Sequence, residues 1–481
     1  GGPGTGKTAV GLHRAAFLLY EHRRQLARDG VLVVGPNPLF LSYIAQVLPS
    51  LGETSATQTT VDQLLGLRFR IIATDDEATA RVKGDARMAT LIERACDAAI
   101  QPPDEELVFR VRARIVRVPA PDVHELIAAM RKRDAPFSVQ RIRFREQLIR
   151  RVHVGATGGE PSALEDTEFA ASLLSELSNR QAIDRCWRTV SPTSLVRSLL
   201  TQRAALARSA DGVLSADEQA LVLRARPRRG EPEPWTVADL PLLDEAEAQI
   251  KGAPRRYGHL VVDEAQDLSP MQLRMLARRA IHHSMTVLGD LAQATAPAAT
   301  ASWDDVLDHF GRPPNADVDE LTIGYRLPGA ILDFANRLLP EAAPGVAAAA
   351  SVRETGDPPD VRRFNVAEVV VESARHAVLL AQNFATMAVV VPSDHVEEMR
   401  AAVAGAGGDV AGPDEGALAH RITVLPAALA KGLEFDAVLV FEPAAIVAES
   451  AHGVRLLFVA LTRAVQHLAI GHAADLPEVL G

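Results

Sequence analysis

The chain opens with the eight residues GGPGTGKT, in which four glycines precede Lys7 and Thr8. The pattern G-x-x-x-x-G-K-[ST] is followed by a predicted helix up to Gly30 and then by the apolar strand VLVVG at 31–35. Glycines let backbone amides approach phosphate oxygens closely, and a helix N-terminus favours negative charge. The pattern therefore predicts a nucleotide-binding loop rather than a glycine-rich turn, with Lys7 at the β- and γ-phosphates and Thr8 on Mg²⁺. The residues expected to hold ATP here are Gly1, Gly4, Thr5, Gly6, Lys7 and Thr8.

A second segment suited to phosphate chemistry is HLVVDEAQD at 259–267, an apolar strand that ends in two carboxylates. In a parallel α/β sheet, ligands meet the carboxyl ends of the strands. We therefore expect Asp263 to hold Mg²⁺, through water, and Glu264 to orient and deprotonate the attacking water. The alternative is an acidic strand end that caps the next helix, and the loop upstream favours catalysis. The strand TVLGD at 286–290 precedes Gln293, whose amide is expected to sense the γ-phosphate.

Composition limits the class of protein. The 481 residues have room for two or three domains, and the sequence contains no run of 18 apolar residues, so no membrane span is expected. Cys96 and Cys186 form neither a disulfide framework nor a zinc spacing, which favours a reducing cytoplasm. The net charge of -10 argues against a general binder of polyanions. Heavy use of Ala and Arg, with only five Lys, is typical of a GC-rich bacterial genome.

Five motifs in a fixed order resemble those of superfamily 1 helicase-type ATPases of the UvrD and Rep kind. DEAQD resembles the family's second Walker motif, and GDLAQ at 289–293 resembles its GDxxQ motif. Further along the chain, LTIGYRLPGAILDFAN (321–336), KGLEFDAVLV (431–440) and RLLFVALTRA (455–464) are similar to the NYR, KGLEFD and VAxTRA motifs. The resemblance implies an ATPase that uses ATP and Mg²⁺.

The resemblance also implies roles for individual residues. Tyr325 would stack on the adenine, and Gly432 and Glu434 would contact the nucleotide and its ribose. Arg326 and Arg463 would reach the γ-phosphate from a second domain, so that hydrolysis depends on domain closure. The catalytic residues expected from motifs and resemblance together are Glu264, Gln293, Arg326 and Arg463.

The motifs divide the chain and predict an α/β fold. We expect two RecA-like P-loop domains, each a parallel sheet flanked by helices, with a mixed, mainly helical insertion in the first. The predicted ranges are 1–75 and 251–310 for the first domain, 76–250 for the insertion and 311–481 for the second domain. A phosphate-binding loop ordinarily follows a β-strand, and here the sequence starts within the loop. We therefore expect an N-terminally truncated chain whose missing strand would lie centrally in the first sheet.

The insertion carries a basic segment at 110–152, with twelve Arg and Lys against four Asp and Glu. Alternation in LVFRVRARIVRV, 107–118, predicts one strand with Arg110, Arg112 and Arg114 on one face. Such a surface suits nucleic-acid phosphates or an acidic protein face, and the alternative is a solvated arm with internal salt bridges. The candidate partner-binding residues are Arg110, Arg112, Arg114, Arg131, Arg133 and Arg141.

Several segments resemble HelD proteins, which are bacterial helicase-like ATPases that bind RNA polymerase. They are KGDARMATLIERA (83–95), RIRFREQL (141–148) and WTVADLPLLDEAEAQI (235–250). The sequence also departs from DNA-unwinding relatives, because Ala430 replaces their usual Ser or Thr and no aromatic residue follows Gln293 until Trp303. The resemblance implies core RNA polymerase as a partner, contact with DNA or RNA, and ATP-driven release of the polymerase. We expect a monomer, with the N-terminal coiled-coil arm of HelD as the missing part.

Two other functions stay open at this point. A UvrD-like 3′–5′ DNA helicase in repair or recombination would use the same motifs. A nucleotide-switched binding protein, or a fragment without activity, would keep the loop but not turnover.

Overall fold

The computed structural model describes residues 2–47, 56–66, 69–112, 114–132, 134–159, 163–298, 300, 302–312, 315–344, 346–354, 356–413 and 419–481. Two of the predicted site residues, Gly1 and Arg133, lie outside these ranges. The chain forms two compact units: unit 1 is Gly1–Arg68 with Arg256–Gly481, and unit 2 is Phe69–Arg255. The predicted insertion, 76–250, falls within unit 2.

The fold is mixed α/β, and its two larger sheets are parallel, in agreement with the predicted class. The strands are β1 Val31–Gly35, β2 Thr57–Thr60, β3 Leu107–Val111, β4 Arg114–Val118, β5 His259–Val262, β6 Met285–Val287, β7 Ile323–Pro328, β8 Ala350–Arg353, β9 Asp360–Arg363, β10 Met387–Val391, β11 Val410–Ala411, β12 Ile422–Pro426, β13 Phe435–Phe441 and β14 Ala464–His472.

Helices surround these strands. They are α1 Lys7–Glu21, α2 Arg23–Asp29, α3 Pro38–Val47, α4 Gln63–Gly66, α5 Glu77–Gly84, α6 Arg87–Asp97, α7 Ala120–Arg131, α8 Phe137–Thr157, α9 Ala163–Ser175, α10 Leu177–Cys186, α11 Pro192–Thr201, α12 Arg203–Ala210, α13 Ala216–Val222, α14 Leu240–Lys251, α15 Pro270–Ala277, α16 Trp303–His309, α17 Gly329–Asn336, α18 Leu339–Ala342, α19 Val369–Leu380, α20 Val396–Gly405, α21 Pro443–Ala448 and α22 Gly453–Leu461. Within the described ranges, every helix is too short or too polar to cross a membrane.

The first sheet of unit 1 has the strand order β2-β1-β5-β6. Strands β1 and β5 pair in parallel, with Val31 opposite His259, and both are buried along their whole length. This burial explains the apolar runs VLVV of β1 and LVV of β5, since strands covered on both faces need apolar residues at successive positions. The carboxyl ends of β1 and β5 therefore lie side by side, and Asp263 N donates to Val34 O over 2.9 Å.

The second sheet of unit 1 has the order β11-β12-β10-β13-β14-β9. Its strands β10, β12, β13 and β14 contain the apolar runs MAVVV, ITVLP, AVLVF and HLAIG. The segment LTIGY at 321–325 lies elsewhere, because the strand there is β7, which starts at Ile323 and pairs with β8 outside the main sheet. We call the first sheet with α1–α3, α15 and α16 the first lobe, and the second sheet with β7, β8 and α17–α22 the second lobe.

The two lobes share one hydrophobic core. Phe40 and Val261 of the first lobe belong to the same buried cluster as Leu425 and Val438 of the second. Because apolar contact between them is continuous, the loops at the carboxyl ends of both sheets lie close together in this structure.

Unit 2 is mainly helical and contains the antiparallel hairpin β3–β4. The prediction of one continuous strand over 107–118 is therefore wrong, because the chain reverses after Arg112, whose φ is +53°. Arg110 pairs with Ile115, whereas Val111 pairs with Arg114. Cross-strand partners share a face and neighbours alternate, so Arg110 and Arg114 lie on opposite faces of the hairpin.

A buried ion cluster joins the two ends of unit 2. Lys83 Nζ lies 2.8 Å from both Asp75 Oδ1 and Asp239 Oδ1, and its side chain is 1% exposed. Arg224 Nη1 also donates to Asp239, over 2.6 Å. Cations and carboxylates thus alternate in this largely buried cluster, and each charge is stabilised by a neighbour of opposite sign.

Replacing Lys83 with methionine is expected to destabilise the protein by roughly 3–5 kcal/mol, because Asp75 and Asp239 would keep buried charges that have lost a partner. Urea unfolding would measure the shift. Lys251→Met is the matched control, since that ammonium is 55% exposed and pairs only with Glu247 one helical turn away among the described residues. Equal unfolding midpoints for the two variants would contradict the expectation.

Candidate nucleotide-binding site

The opening loop has the backbone that close contact with a ligand requires. Gly4 and Gly6 have φ values of +66° and +78°, a region that side-chain-bearing residues rarely occupy. A Cβ atom at Gly4 would lie 2.5 Å from Leu327 Cδ1. Gly6 immediately precedes α1, so the free amides of the first turn of that helix belong to the loop.

The loop is also bound to the second lobe through its backbone. Gly2 N donates to Leu321 O over 3.1 Å, and Tyr325 N donates to Gly4 O over 2.9 Å. Backbone hydrogen bonds at Gly2 and Gly4 therefore hold the loop in a conformation that glycine adopts easily.

An open pocket with about 370 Å³ of empty space lies over this loop. The first lobe supplies Glu264 and the second lobe supplies residues from three separated motifs. The lining consists of Gly2, Pro3, Gly4, Thr5, Gly6, Lys7, Thr8, Glu264, Arg326, Gly432, Glu434, Thr462 and Arg463. The structure thus brings ten of the predicted nucleotide-site residues to one pocket, whereas Asp263, Gln293 and Tyr325 lie outside its lining.

The acidic pair after β5 lies directly beside the loop. Thr8 Oγ1 donates to Asp263 Oδ2 over 2.7 Å, and Lys7 Nζ lies 3.7 Å from Glu264 Oε1. Glu264 has a left-handed φ of +53° and is 2% exposed. A buried non-glycine residue in this conformation is costly, and such residues concentrate at functional sites. Gln266 Nε2 donates to Glu264 Oε2 over 2.6 Å and so holds the carboxylate in place.

Electrostatics separate the two carboxyls. Burial and the adjacent Glu264 raise the pKa of Asp263 to about 6. Burial also acts to raise the pKa of Glu264, but Lys7 and then Lys431 outweigh it and bring that pKa well below its usual range. For Lys7, burial acts to lower the pKa, yet Glu264 and Asp290 raise it above its ordinary value. Glu264 is therefore ionised and faces the Lys7 ammonium.

The Thr8 and Asp263 oxygens suit Mg²⁺, which prefers hydroxyl, carboxylate and water oxygens over nitrogen or sulfur. Within the described ranges, no group of three or more His, Cys, Asp and Glu side chains could hold a metal ion. A magnesium ion at Thr8 and Asp263 would accordingly take its other ligands from phosphate and water.

Arg463 of the pocket lining pairs with the predicted residue Gln293, which lies outside the lining. Arg463 Nη2 donates to Gln293 Oε1 over 3.1 Å, and Gln293 Nε2 donates to Asp290 Oδ2 over 2.8 Å. Arg463 also donates to Val459 O over 3.0 Å, and it is 6% exposed. This series of hydrogen bonds links the Arg463 guanidinium of the second lobe to Asp290, which follows β6 in the first lobe.

The other predicted residues of the second lobe are less enclosed. Arg326 forms an ion pair with Glu434, and both side chains are partly exposed. Tyr325 is 62% exposed, and the described contacts tie only its backbone to the loop. Its stacking on adenine stays a prediction, as do the roles of Arg326, Gly432 and Glu434.

Sequence reasoning missed Lys431 and Thr462. Thr462 lines the pocket, and Lys431 lies 3.7 Å from Glu264 Oε2. A signal for Lys431 existed, because lysine is scarce in this chain and this one directly precedes Gly432.

Three of the candidate partner-binding residues of unit 2 contact other parts of that unit. Arg131 Nη2 lies 2.5 Å from Asp97 Oδ2, Arg141 Nη2 lies 2.5 Å from Asp184 Oδ1, and Arg114 donates to Ala156 O. These contacts favour the salt-bridged alternative for Arg131 and Arg141, whereas Arg114 is held by a backbone carbonyl. Arg110 and Arg112 are exposed at the hairpin.

Comparison with known proteins gives matches to part of the chain. Residues 422–470 match the UvrD-like helicase C-terminal domain family. The ATP-dependent DNA helicase UvrD2 of Mycobacterium tuberculosis and that of Mycobacterium bovis are each 37% identical to this chain over 102 residues. That match spans 21% of this chain and 14% of the length of the relative.

A solved structure is also similar, the C-terminal domain of a possible DNA helicase from Lactobacillus plantarum. It is 25% identical with a TM-score of 0.27, over 33% of this chain and 92% of that one. The family match over 422–470 and the similarity to UvrD2 each cover a minor part of this chain.

Proposed function

We propose that this chain hydrolyses ATP as the motor part of a superfamily 1 helicase-like protein, with its two lobes as RecA-like domains. The observation that carries the proposal is the position of Glu264, buried opposite Lys7 in a pocket that Arg326 and Arg463 line from the other lobe. A water-activating carboxylate, a phosphate-binding lysine and arginines from a second domain are the components that phosphoryl transfer requires.

The proposed reaction follows from these positions. The loop amides and Lys7 bind the β- and γ-phosphates, and Glu264 accepts a proton from the attacking water. Arg326 and Arg463 stabilise the charge on the equatorial oxygens, while Gln293 links Arg463 to the first lobe. Mg²⁺ at Thr8 and Asp263 would neutralise charge that develops on the phosphates.

The proposed biological role is that of a HelD-type factor, which binds core RNA polymerase and helps to release it from nucleic acid. Three segments of unit 2 that resemble HelD support this role, and so do the exposed Arg110 and Arg112 of the hairpin. No aromatic residue follows Gln293 in the sequence until Trp303. Nucleic-acid bases therefore have little to stack on in this segment, which also supports the HelD-type role.

A second candidate is a UvrD-like 3′–5′ DNA helicase. The similarity to UvrD2 favours it, because the matched relative is named as a DNA helicase. Both candidates need the same pocket, so they differ in the partner that stimulates turnover.

ATP turnover of the full-length protein, titrated separately with single-stranded DNA and with core RNA polymerase, distinguishes them. Tight polymerase binding with little stimulation by DNA supports the HelD-type role. Strong stimulation by DNA that falls steeply with salt supports the helicase instead. Lys7→Ala controls for contaminating ATPases. Absence of turnover above that control without a partner, with DNA and with polymerase would contradict ATP hydrolysis itself and leave a binding protein.

A further inference from the structure

A buried lysine from the second lobe lies among the acidic groups of the first. Lys431 Nζ donates to Asp267 Oδ2 and to Gln293 O, and it lies 3.7 Å from Glu264 Oε2. Its side chain is 5% exposed. One ammonium therefore touches both acidic loops of the first lobe, the one after β5 and the one after β6.

The Lys431 ammonium is the charge partner of the Asp267 carboxylate. The Oδ1 atom of this carboxylate already accepts hydrogen bonds from Thr295 N over 2.7 Å and from Ala296 N over 3.2 Å. Its Oδ2 accepts from Lys431. One carboxylate oxygen therefore has neutral backbone donors, and the other has the ammonium. Removal of the ammonium would leave a largely enclosed carboxylate without its charge partner.

The backbone of Lys431 is held by the first lobe as well. Asn37 Nδ2 donates to Lys431 O over 3.3 Å, while Asn37 Oδ1 accepts from Phe40 N over 2.8 Å. The next residue, Gly432, has a φ of +78°, and a Cβ there would lie 2.7 Å from Phe40 Cδ2. The turn at Lys431 and Gly432 thus fits against the loop after β1 only while the lobes are docked.

We propose that Lys431 is a positioning residue for hydrolysis, which fixes the loops of Glu264 and Gln293 in their working arrangement through Asp267 and the Gln293 carbonyl. Separation of the lobes withdraws this ammonium, so the water-activating carboxylate is correctly supported only in the docked state. This role rests on the proposed ATP hydrolysis. It means that hydrolysis depends on docking of the two lobes through the side chain of Lys431. It differs from an arginine-finger role, because Lys431 contacts the protein's own acidic loops.

The test is a double-mutant cycle in the full-length protein with Lys431→Met and Asp267→Asn. Lys431→Met is expected to lower kcat roughly 10- to 100-fold while KM and the affinity for a fluorescent ATP analogue stay within about threefold. The double variant is expected to recover part of the loss, because it removes the unpaired carboxylate together with the ammonium. A residue that only stabilised the fold would change the unfolding midpoint without this split between kcat and KM.

Lys251→Met again serves as the control, with wild-type kinetics expected. An unchanged kcat in Lys431→Met, a rise in KM alone, or losses that multiply in the double variant would each overturn the inference. These results differ from a failure of the proposed function, in which the wild-type protein itself would show no turnover above Lys7→Ala. If Lys431→Met fails to fold, Asp267→Asn alone still decides, since loss of kcat at constant KM is expected there and its absence overturns the proposal.

Discussion

Replacing Arg463 with alanine is expected to lower kcat for ATP hydrolysis by roughly 10³-fold or more, with a far smaller change in ATP affinity. The guanidinium lines the pocket beside the phosphate-binding loop and is buried among hydrogen bonds to Gln293, Val459 and Leu433. A fixed, desolvated cation stabilises the charge that develops during transfer more strongly than the charge of the bound substrate. Single-turnover kinetics combined with equilibrium binding of a fluorescent ATP analogue would measure the two effects separately.

Two controls accompany this variant. Arg375→Ala removes an arginine that is 62% exposed and pairs with Glu372 on the same helix, and wild-type kinetics are expected. Arg463→Lys keeps the charge but cannot keep the planar set of donors, so partial activity is expected. If Arg463→Ala loses affinity and kcat in equal measure, the residue binds the ground state, and its assignment as an arginine finger is wrong.

Replacing Glu264 with glutamine is expected to reduce kcat by roughly 10²- to 10⁴-fold and to preserve ATP binding. The amide keeps the size of the side chain and can still accept the hydrogen bond from Gln266, but it cannot take a proton from water. Lys7 also loses the carboxylate that lies 3.7 Å away, which favours its interaction with phosphate instead. The variant should therefore trap bound ATP.

Turnover and ATP binding of Glu264→Gln would be compared with those of Glu397→Gln, an exposed carboxylate in a helix of the second lobe. Wild-type turnover in the Glu264 variant would show that another group accepts the proton. Loss of binding would indicate that Glu264 holds the loop rather than activating water.

The parts of the site that could be predicted have local signals. Strands β1 and β5 contain the apolar runs VLVV and LVV because both faces of the sheet are covered, and the carboxylates follow directly at the end of β5. The loop was recognisable because Gly4 and Gly6 adopt left-handed φ values that disfavour other residues. Each of these constraints acts within a few residues of the position that it determines.

The hairpin and the pairing of Lys431 with Asp267 lack such signals. Alternation continues unchanged through the turn after Arg112, and a left-handed arginine is uncommon at such a turn, so 107–118 is typical of one strand. Asp267, the partner of Lys431, is 164 positions away in the chain, and no local pattern connects them. The contact exists because the two lobes share a core, which is a property of the folded chain.

The order of strands in the first sheet has a consequence for synthesis on the ribosome. The paired residues Val31 and His259 are separated by 228 positions, which take roughly 10–45 s to emerge at the usual rates of translation. During this interval β1 has no partner on one edge. All of unit 2 is made in the same interval, before β5 emerges. We therefore expect unit 2 to close around Lys83 first, and the nascent β1 edge to be the point at which a chaperone protects this protein.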